Sequence, residues 1–384
     1  MWVKRCKHFG ECGGCSFQDI PYKKQLWQKQ EKIKELMASY GIAAPLKPIN
    51  HSRRYYYRNK MEFTFADQGK IACGFYGRKE KRELVDLEEC IIFSSDAGKI
   101  LKMVKNFARK KNYSVYNKYS HKGFLRNLII REAKFTKEIM VGIAVTSEDE
   151  LAGDEFVKEL TSLKLKAAVK SIYQIINNSL SDAVVFEKKK LLWGTAFIKE
   201  KIGRLIFKIG IDTFSQVNPF MIKGFYEKIR SYAKLSSDKS VVDLFCGAGS
   251  IGLFLARYVK FVWGVEFSKE TVEAAWENAK INKVGNISFL ASDTRKFLNT
   301  HSVFHRNISL LIVNPPRCGL SNKVIRGILR LNPEKIIFSS CNPDAFCRDI
   351  SALKETYKPN FIEPFDFFPH TPHLECLSLL SKIQ

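Results

Sequence analysis

The sequence predicts an α/β protein in two architectural parts: a parallel sheet covered on both faces toward the C-terminus, and an α+β region before it. Three observations predict this. From about residue 205 onward, short apolar runs (SVVDLF, KFVWGVEF, NISFLAS, ISLLIVN, EKIIFSS) alternate with helical segments, as crossover helices over a parallel sheet require. Between about 50 and 200, β-rich runs such as MEFTFA, KIACGFYG, LIIREAKF and IMVGIAVT alternate with helical stretches, the pattern of antiparallel hairpins. Finally, 384 residues with 45% hydrophobic content can bury more than one core.

Taken in order, residues 1–40 form a cysteine-bearing loop followed by one amphipathic helix, PYKKQLWQKQEKIKELMASY (21–40), with Pro21 in its first turn. The loop carries Cys6, Cys12 and Cys15, three thiols from one segment, so a fourth ligand has to come from afar. Cys90 in LEECIIF is the best candidate and Cys73 the alternative. Four thiolates suit zinc or an iron–sulfur cluster, and spacing does not choose between them. Residues 41–204 are the central α+β domain, contributing Cys90. Its segment HSRRYYYRNKMEF interleaves Arg53, Arg54, Arg58 and Lys60 with Tyr55, Tyr56 and Tyr57, which suits gripping phosphate and stacking unpaired bases. Arg126 and Arg131 extend that surface, and on strands about half of the tyrosines would face inward. Residues 205–384 are the third unit.

The charge of the whole chain is lopsided: 63 Lys+Arg against 39 Asp+Glu gives +24. The excess is spread over both halves, 38 basic against 23 acidic residues in 1–200 and 25 against 16 in 201–384. Such a field favours a polyanionic partner and salt-sensitive binding, whereas a lysine-rich surface serving solubility is the plainer reading. No stretch is long and apolar enough to span a bilayer, and the basic, cysteine-bearing start does not read as a secretion signal. A soluble, cytoplasmic monomer without a membrane partner is expected. Ten cysteines in such a chain argue against a disulfide framework. Cys73, Cys246, Cys318, Cys347 and Cys376 are by default small buried residues.

In the C-terminal unit, KSVVDLFCGAGSIGLFLARY sets a Gly-rich turn between an apolar strand and a helix, where Gly247 and Gly249 let the backbone approach a ligand. Glu266 ends the next strand, 19 residues after Gly247, where a carboxylate accepts both ribose hydroxyls. Asp293 follows the third strand and suits an adenine amine. The turn beginning at Asp243 looks like motif I of class I methyltransferases. An NAD-dependent dehydrogenase is the rival, disfavoured by Asn314-Pro315-Pro316-Arg317 at the end of the fourth strand, which looks like the active-site element of nucleic-acid methyltransferases. The fifth strand runs EKIIFSS into Cys341, at the sheet edge where ligands gather. Carbon 5 of uracil is a poor nucleophile, but thiolate addition at carbon 6 makes it reactive. That chemistry needs a cysteine, a methyl donor and a base for the carbon 5 proton. Cys341 suits the first need and Glu375, in FPHTPHLECLSLL, the last. His370 and His373 beside it suit orienting the base or contacting RNA, though lone histidines are more often structural. Cys318, one residue past NPPR, is a weaker rival nucleophile.

Together DTFSQVNP (212–219), DLFCGAGSIG, GVEFS, LIVNPPRCG, FSSCNP and FPHTPHLE resemble, in order and over nearly the whole chain, the RNA 5-methyluridine methyltransferase family. The resemblance implies a class I (Rossmann-like) methyltransferase domain with an N-terminal α+β iron–sulfur and RNA-binding domain. It implies S-adenosylmethionine as methyl donor, Cys341 as nucleophile and Glu375 as base. Gln216, Phe245, Ser250, Glu266, Asp293 and Asn314 would line the cofactor and uracil pocket, with Phe214 packing on the target base. It also implies a [4Fe–4S] cluster on Cys6, Cys12, Cys15 and Cys90. The implied partner is RNA, 23S rRNA ahead of the tRNA T-loop. Asn314 stands where many members have Asp, and the first cysteine is already residue 6, without a preceding β-barrel; both features resemble the shorter branch that methylates a 23S rRNA hairpin loop. A uridine within a stem is out of a thiol's reach, so the target is flipped out or already in a loop.

Overall fold

The computed structural model describes residues 5–78, 83–300 and 308–383. Residues 1–4, 301–307 and 384, included in the units expected from sequence, lie outside that description, as do 79–82. The first helix, α1 (Tyr22–Ser39), starts one residue later than expected, with Pro21 as its N-cap. The elements that follow are β1 (Lys60–Asp67), β2 (Ile71–Tyr76), β3 (Leu84–Asp86), α2 (Ala97–Lys110), β4 (Leu125–Ala133), β5 (Glu138–Val145), α3 (Gly153–Thr161), β6 (Ala168–Ile176) and β7 (Lys188–Gly194). Their strands form one sheet in the order β3-β2-β1-β4-β5-β6-β7. Every pairing is antiparallel except β5 with β6, which α3 connects as a crossover. The central strands β4 and β5 read as continuous apolar runs because both of their faces are covered. Ile139, Val141, Ile143 and Val145 face the core shared with α2 and α3. Met140 and Ala144 face a second cluster with Ile198 and Ile209, the period-two alternation of a strand.

The hairpin β8 (Ile198–Ile202) and β9 (Leu205–Ile209) bridges the two halves. Ile198 of β8 packs under the first sheet, while β9 is held on the second half by Asn278 and Asn282, which accept from Lys208 and Ile206 backbone N–H groups. The expected boundary at 204/205 falls in the turn of this hairpin.

The second half continues with α4 (Pro219–Ala233), β10 (Ser240–Leu244), α5 (Ser250–Leu255), β11 (Phe261–Glu266), α6 (Lys269–Ile281), β12 (Ile287–Ala291), α7 (Thr294–Thr300), β13 (Ile308–Val313), α8 (Asn322–Leu331), β14 (Lys335–Ser340), α9 (Pro343–Ser351), β15 (Tyr357–Pro359), β16 (Glu363–Phe365) and β17 (Glu375–Lys382). The sheet order is β12-β11-β10-β13-β14-β17-β15, with β16 also beside β17. β10 to β14 pair in parallel, and β17 returns antiparallel to β14. This is an α/β fold, a mostly parallel sheet between two layers of helices. Val241 faces one buried cluster, shared with α4, α5 and α6, while Val242 and Leu244 face the other, shared with α8 and α9. Ile33 and Met37 of α1 join that second cluster, so the first helix packs on the C-terminal sheet while the cysteine loop before it lies against β1 and β2. Strand order reverses between β10 and β13, which opens a crevice at their carboxyl ends. Because β17 is antiparallel, its first residue, Glu375, lies at the same edge as the last residue of β14, Ser340 pairing with Cys376.

Candidate active site

Gln216, Phe245, Gly247, Ser250 and Asn314 line one cavity in that crevice, with Phe214 at its side. Phe245, Gly247 and Gly249 all have positive φ, +58°, +53° and +79°. The turn after β10 therefore alternates left-handed residues with ordinary ones, open to the cavity at Gly247 and closed at Gly249. A Cβ at Gly249 would stand 2.6 Å from the Phe289 ring, whereas one at Gly247 would meet nothing within 4 Å. Glu266 braces this turn: Oε2 accepts from Gly247 N–H at 3.1 Å, and Oε1 from the Phe267 and Ser268 N–H groups. Asp243 is buried and accepts from Gly252 N–H at 3.2 Å; burial pushes its carboxyl up to about 7.

Three residues that carried no sequence signal complete this wall. The Tyr226 hydroxyl pairs with Ser250 Oγ at 2.7 Å. Asn278, in the last turn of α6, donates to Ala248 O while accepting from Lys208 N–H. Asn59 donates to Gln216 O from the first half. A tyrosine or asparagine within an ordinary helix or loop pattern is locally silent. Asp293 does not line the cavity. Its carboxylate is forked by the Arg295 guanidinium at 2.7–3.2 Å, which holds it down to about 2.

Cys341 follows β14 directly and is half-buried. Burial, with the Glu375 carboxylate adding, pushes its thiol up to about 11, and Arg317 opposes the rise. Glu375 is 1% exposed, and neither of its carboxylate oxygens has a hydrogen-bond partner among the described residues. Burial alone pushes it up to about 8. Its charge also reaches Tyr226 in the cavity wall, so thiol, carboxyl and cavity belong to one electrostatic neighbourhood. The Asn342 side chain caps α9 through Asp344 N–H and donates to Arg317 O at 2.9 Å, tying the Cys341 turn to the NPPR turn. The Arg317 guanidinium lies 3.0 Å from His373 Nδ1. Cys318 is exposed. Cys347 and Cys376 are buried, as small apolar residues are.

Cys6, Cys12, Cys15 and Cys90 line a second cavity, walled by Met61, Phe75, Leu87 and Ile92. Burial raises the Cys90 thiol, and the other three add to the rise. Cys73 instead faces Asp86 and Lys105. Among the described residues no three His, Cys, Asp or Glu side chains converge tightly enough to form a metal-binding group. The donor set fits a thiolate-bound cluster in kind: four thiols on one apolar-walled cavity, each half-buried or buried and none in a disulfide.

The expected RNA-gripping surface is smaller than the sequence suggested. Residues 51–59 are loop, not strand. Tyr57 is fully buried, and its hydroxyl donates to Pro369 O. Arg126 is buried and donates to the carbonyls of Asn177, Ser179 and Ser181, so it holds a loop and does not extend the surface. Arg131 is buried as well and donates to Thr213 O. Arg53 and Arg54 sit over the rings of Phe220 and Tyr22. No helix among the described residues is long and apolar enough to cross a membrane.

The sequence profile of the family described as tRNA (uracil-5-)-methyltransferase matches residues 21–383. Similar proteins include uncharacterized RNA methyltransferases from Caldanaerobacter subterraneus subsp. tengcongensis, 35% identical over 98% of this chain and 84% of the relative, and from Clostridium tetani, 36% identical over 97% and 82%. Among solved structures, the Pyrococcus abyssi tRNA (uracil-54, C5)-methyltransferase in complex with S-adenosyl-L-homocysteine superposes with a TM-score of 0.79. The two are 27% identical, over 96% of this chain and 86% of that one.

Proposed function

Since this chain belongs to the tRNA (uracil-5-)-methyltransferase family and is an S-adenosylmethionine-dependent RNA (uracil-5-)-methyltransferase, we propose that Cys341 is its nucleophile and Glu375 its base. The observation that carries this reading is the pairing of the two groups: a half-buried thiol beside a buried carboxyl with no hydrogen-bond partner among the described residues, at one edge of the sheet. A carboxyl spending its oxygens on no neighbour is free to take a proton, and burial brings its pKa near working pH. S-adenosylmethionine, when bound, supplies an electrophilic methyl group for carbon 5.

The protein's own groups do the rest. The Cys341 sulfur bonds to carbon 6 of the uracil, and the electron pair of the 5,6 double bond moves toward carbon 5. After methylation Glu375 removes the carbon 5 proton, the double bond re-forms, and the sulfur–carbon 6 bond breaks to return the thiolate. Arg317 favours the thiolate in both its formation and its release. In the crevice, Gly247 leaves room for the cofactor while Gly249 packs the turn against Phe289, and Gln216, Phe245, Ser250 and Asn314 face the cofactor or the uracil. Glu266 has the chemistry for the ribose hydroxyls, while Asp293 would have to leave Arg295 to meet the adenine amine.

The substrate we propose is a loop uridine of 23S rRNA, supported by the Asn-Pro-Pro-Arg form of the fourth motif. The tRNA T-loop is the second reading, favoured by the solved neighbour, which is a tRNA (uracil-54, C5)-methyltransferase. We further assign a [4Fe–4S] cluster to Cys6, Cys12, Cys15 and Cys90, supported by their common cavity. A cytoplasmic enzyme agrees with ten cysteines that all remain unpaired. The test uses 5-fluorouridine transcripts of 23S rRNA and tRNA with the methyl donor. Fluorine cannot leave as a proton, so the enzyme should stall as a covalent adduct through Cys341 on one of the two RNAs. No adduct on either would refute the mechanism.

A further inference from the structure

The segment that leads into Glu375 is pinned in an unusual way. Four consecutive carbonyls, Phe367 to His370, each accept a hydrogen bond from a part of the chain far away in sequence. Asn218 Nδ2 donates to Phe367 O at 3.1 Å, and Lys29 Nζ to Phe368 O at 3.0 Å. The Tyr57 hydroxyl donates to Pro369 O at 3.0 Å. The backbone N–H groups of Ser16 and Phe17, immediately after Cys15, both donate to His370 O, at 2.8 and 3.0 Å. A single buried side chain reinforces the last of these clamps. Gln25 of α1 donates to Phe17 O and Ile20 O at 2.7 and 2.8 Å, accepts from His370 N–H at 3.0 Å, and lies 3.2 Å from His370 Nδ1. His370 itself holds φ +67°, a conformation costly for a side-chain-bearing residue and kept only where surroundings over-determine it.

We propose that Gln25 and the Ser16–Phe17 backbone are positioning groups for Glu375, so that the cysteine loop acts on catalysis by holding the base segment and not by chemistry of its own. The proposal rests on the reading of Glu375 as the base. Its geometric content is that residues 367–374 run outside the sheet between β16 and β17, and that Glu375 is the first residue to re-enter it, paired with Phe365. The ladder fixes the backbone of Glu375 on one side, and the path by which the chain enters β17 is set by these few hydrogen bonds, three of them from the first 25 residues. Removal of the carbon 5 proton follows methylation and drives the re-forming of the double bond that expels the Cys341 sulfur. Loosening the strap should thus slow release of the adduct and leave its formation intact. A misplacement of about 1 Å costs on the order of 100-fold in such a step.

The experiment compares the holoenzyme with Gln25→Leu, the milder Tyr57→Phe and, as reference, Glu375→Gln. Unmodified and 5-fluorouridine transcripts of 23S rRNA and tRNA serve as probes. We expect Gln25→Leu to lower kcat about 100-fold with KM for RNA unchanged, and to accumulate covalent adduct on ordinary uridine as Glu375→Gln does. It should form the 5-fluorouridine adduct to the wild-type extent, which shows that fold, cofactor site and thiol are intact. Amide hydrogen exchange over 366–375 should quicken in Gln25→Leu and in protein stripped of its cluster by chelation, with Tyr57→Phe between these and wild type. Wild-type release and exchange in Gln25→Leu, with Glu375→Gln still stalled, overturns this proposal alone. Loss of the 5-fluorouridine adduct together with turnover also overturns it. If Glu375→Gln releases product normally, the base assignment itself falls and the proposal with it.

Discussion

Replacing Glu375 by glutamine should stabilise the protein above neutral pH while stopping its turnover. The carboxyl is buried, both oxygens lack partners among the described residues, and burial lifts it from 4.5 to about 8. Between those two values the folded chain keeps a proton that the unfolded chain has lost. Wild-type stability therefore falls as pH rises through this window, and the loss is complete above about pH 8. At 1.36 kcal/mol per unit, the cost is roughly 1 kcal/mol at pH 5, about 3 at pH 7 and about 4 at pH 8. Glutamine has the same shape and no charge to bury, so the variant escapes this loss. Its own amide desolvation is the same at every pH and cancels when two pH values are compared. Urea unfolding of both proteins at pH 5 and pH 8 measures the difference directly. The variant's advantage should grow by about 3 kcal/mol between the two. An advantage that stays constant would mean that the carboxyl is not desolvated in the folded state, and the argument for a base poised near neutrality would go with it.

Gly249→Ala forces a side chain into φ +79° and to 2.6 Å from the Phe289 ring. It should cost about 3 kcal/mol in urea unfolding and weaken cofactor binding measured by calorimetry. Lys29→Met strands the Asp366 carboxylate, its fully buried partner at 2.6 Å, and should lose about 3–5 kcal/mol; the double replacement with Asp366→Leu should recover most of it. Arg317→Met removes the charge that opposes the rise of the Cys341 thiol above its usual range, so the alkaline rise of kcat should move to higher pH. Cys318→Ala should leave methyl transfer intact while Cys341→Ala abolishes it, as read by incorporation of labelled methyl groups.

The sequence by itself determined the parallel sheet, the glycine turn after β10 and the position of Cys341 at the end of β14. These are properties of neighbours along the chain: an apolar run of strand length, a glycine where φ turns positive, a polar residue where the run stops. It also put Glu375 just ahead of the last apolar run, which becomes β17. Where information had to travel across the fold, the sequence was silent. Arg126 sits in a basic, aromatic-flanked stretch, yet the tertiary structure spends it on three loop carbonyls. Cys90 is the better candidate partner for a distant loop and Cys73 the alternative, but only the packing of that loop on β1 and β2 brings Cys90 into one cavity with it. The amphipathic pattern of α1 predicts a helix but not which sheet receives Ile33 and Met37. The clamps on the segment before Glu375 come from residues 16 to 29, 57 and 218, hundreds of positions away in part. Periodicity records which face of an element is hidden. What hides it, and whether a charge there keeps its water, is decided only when distant segments meet.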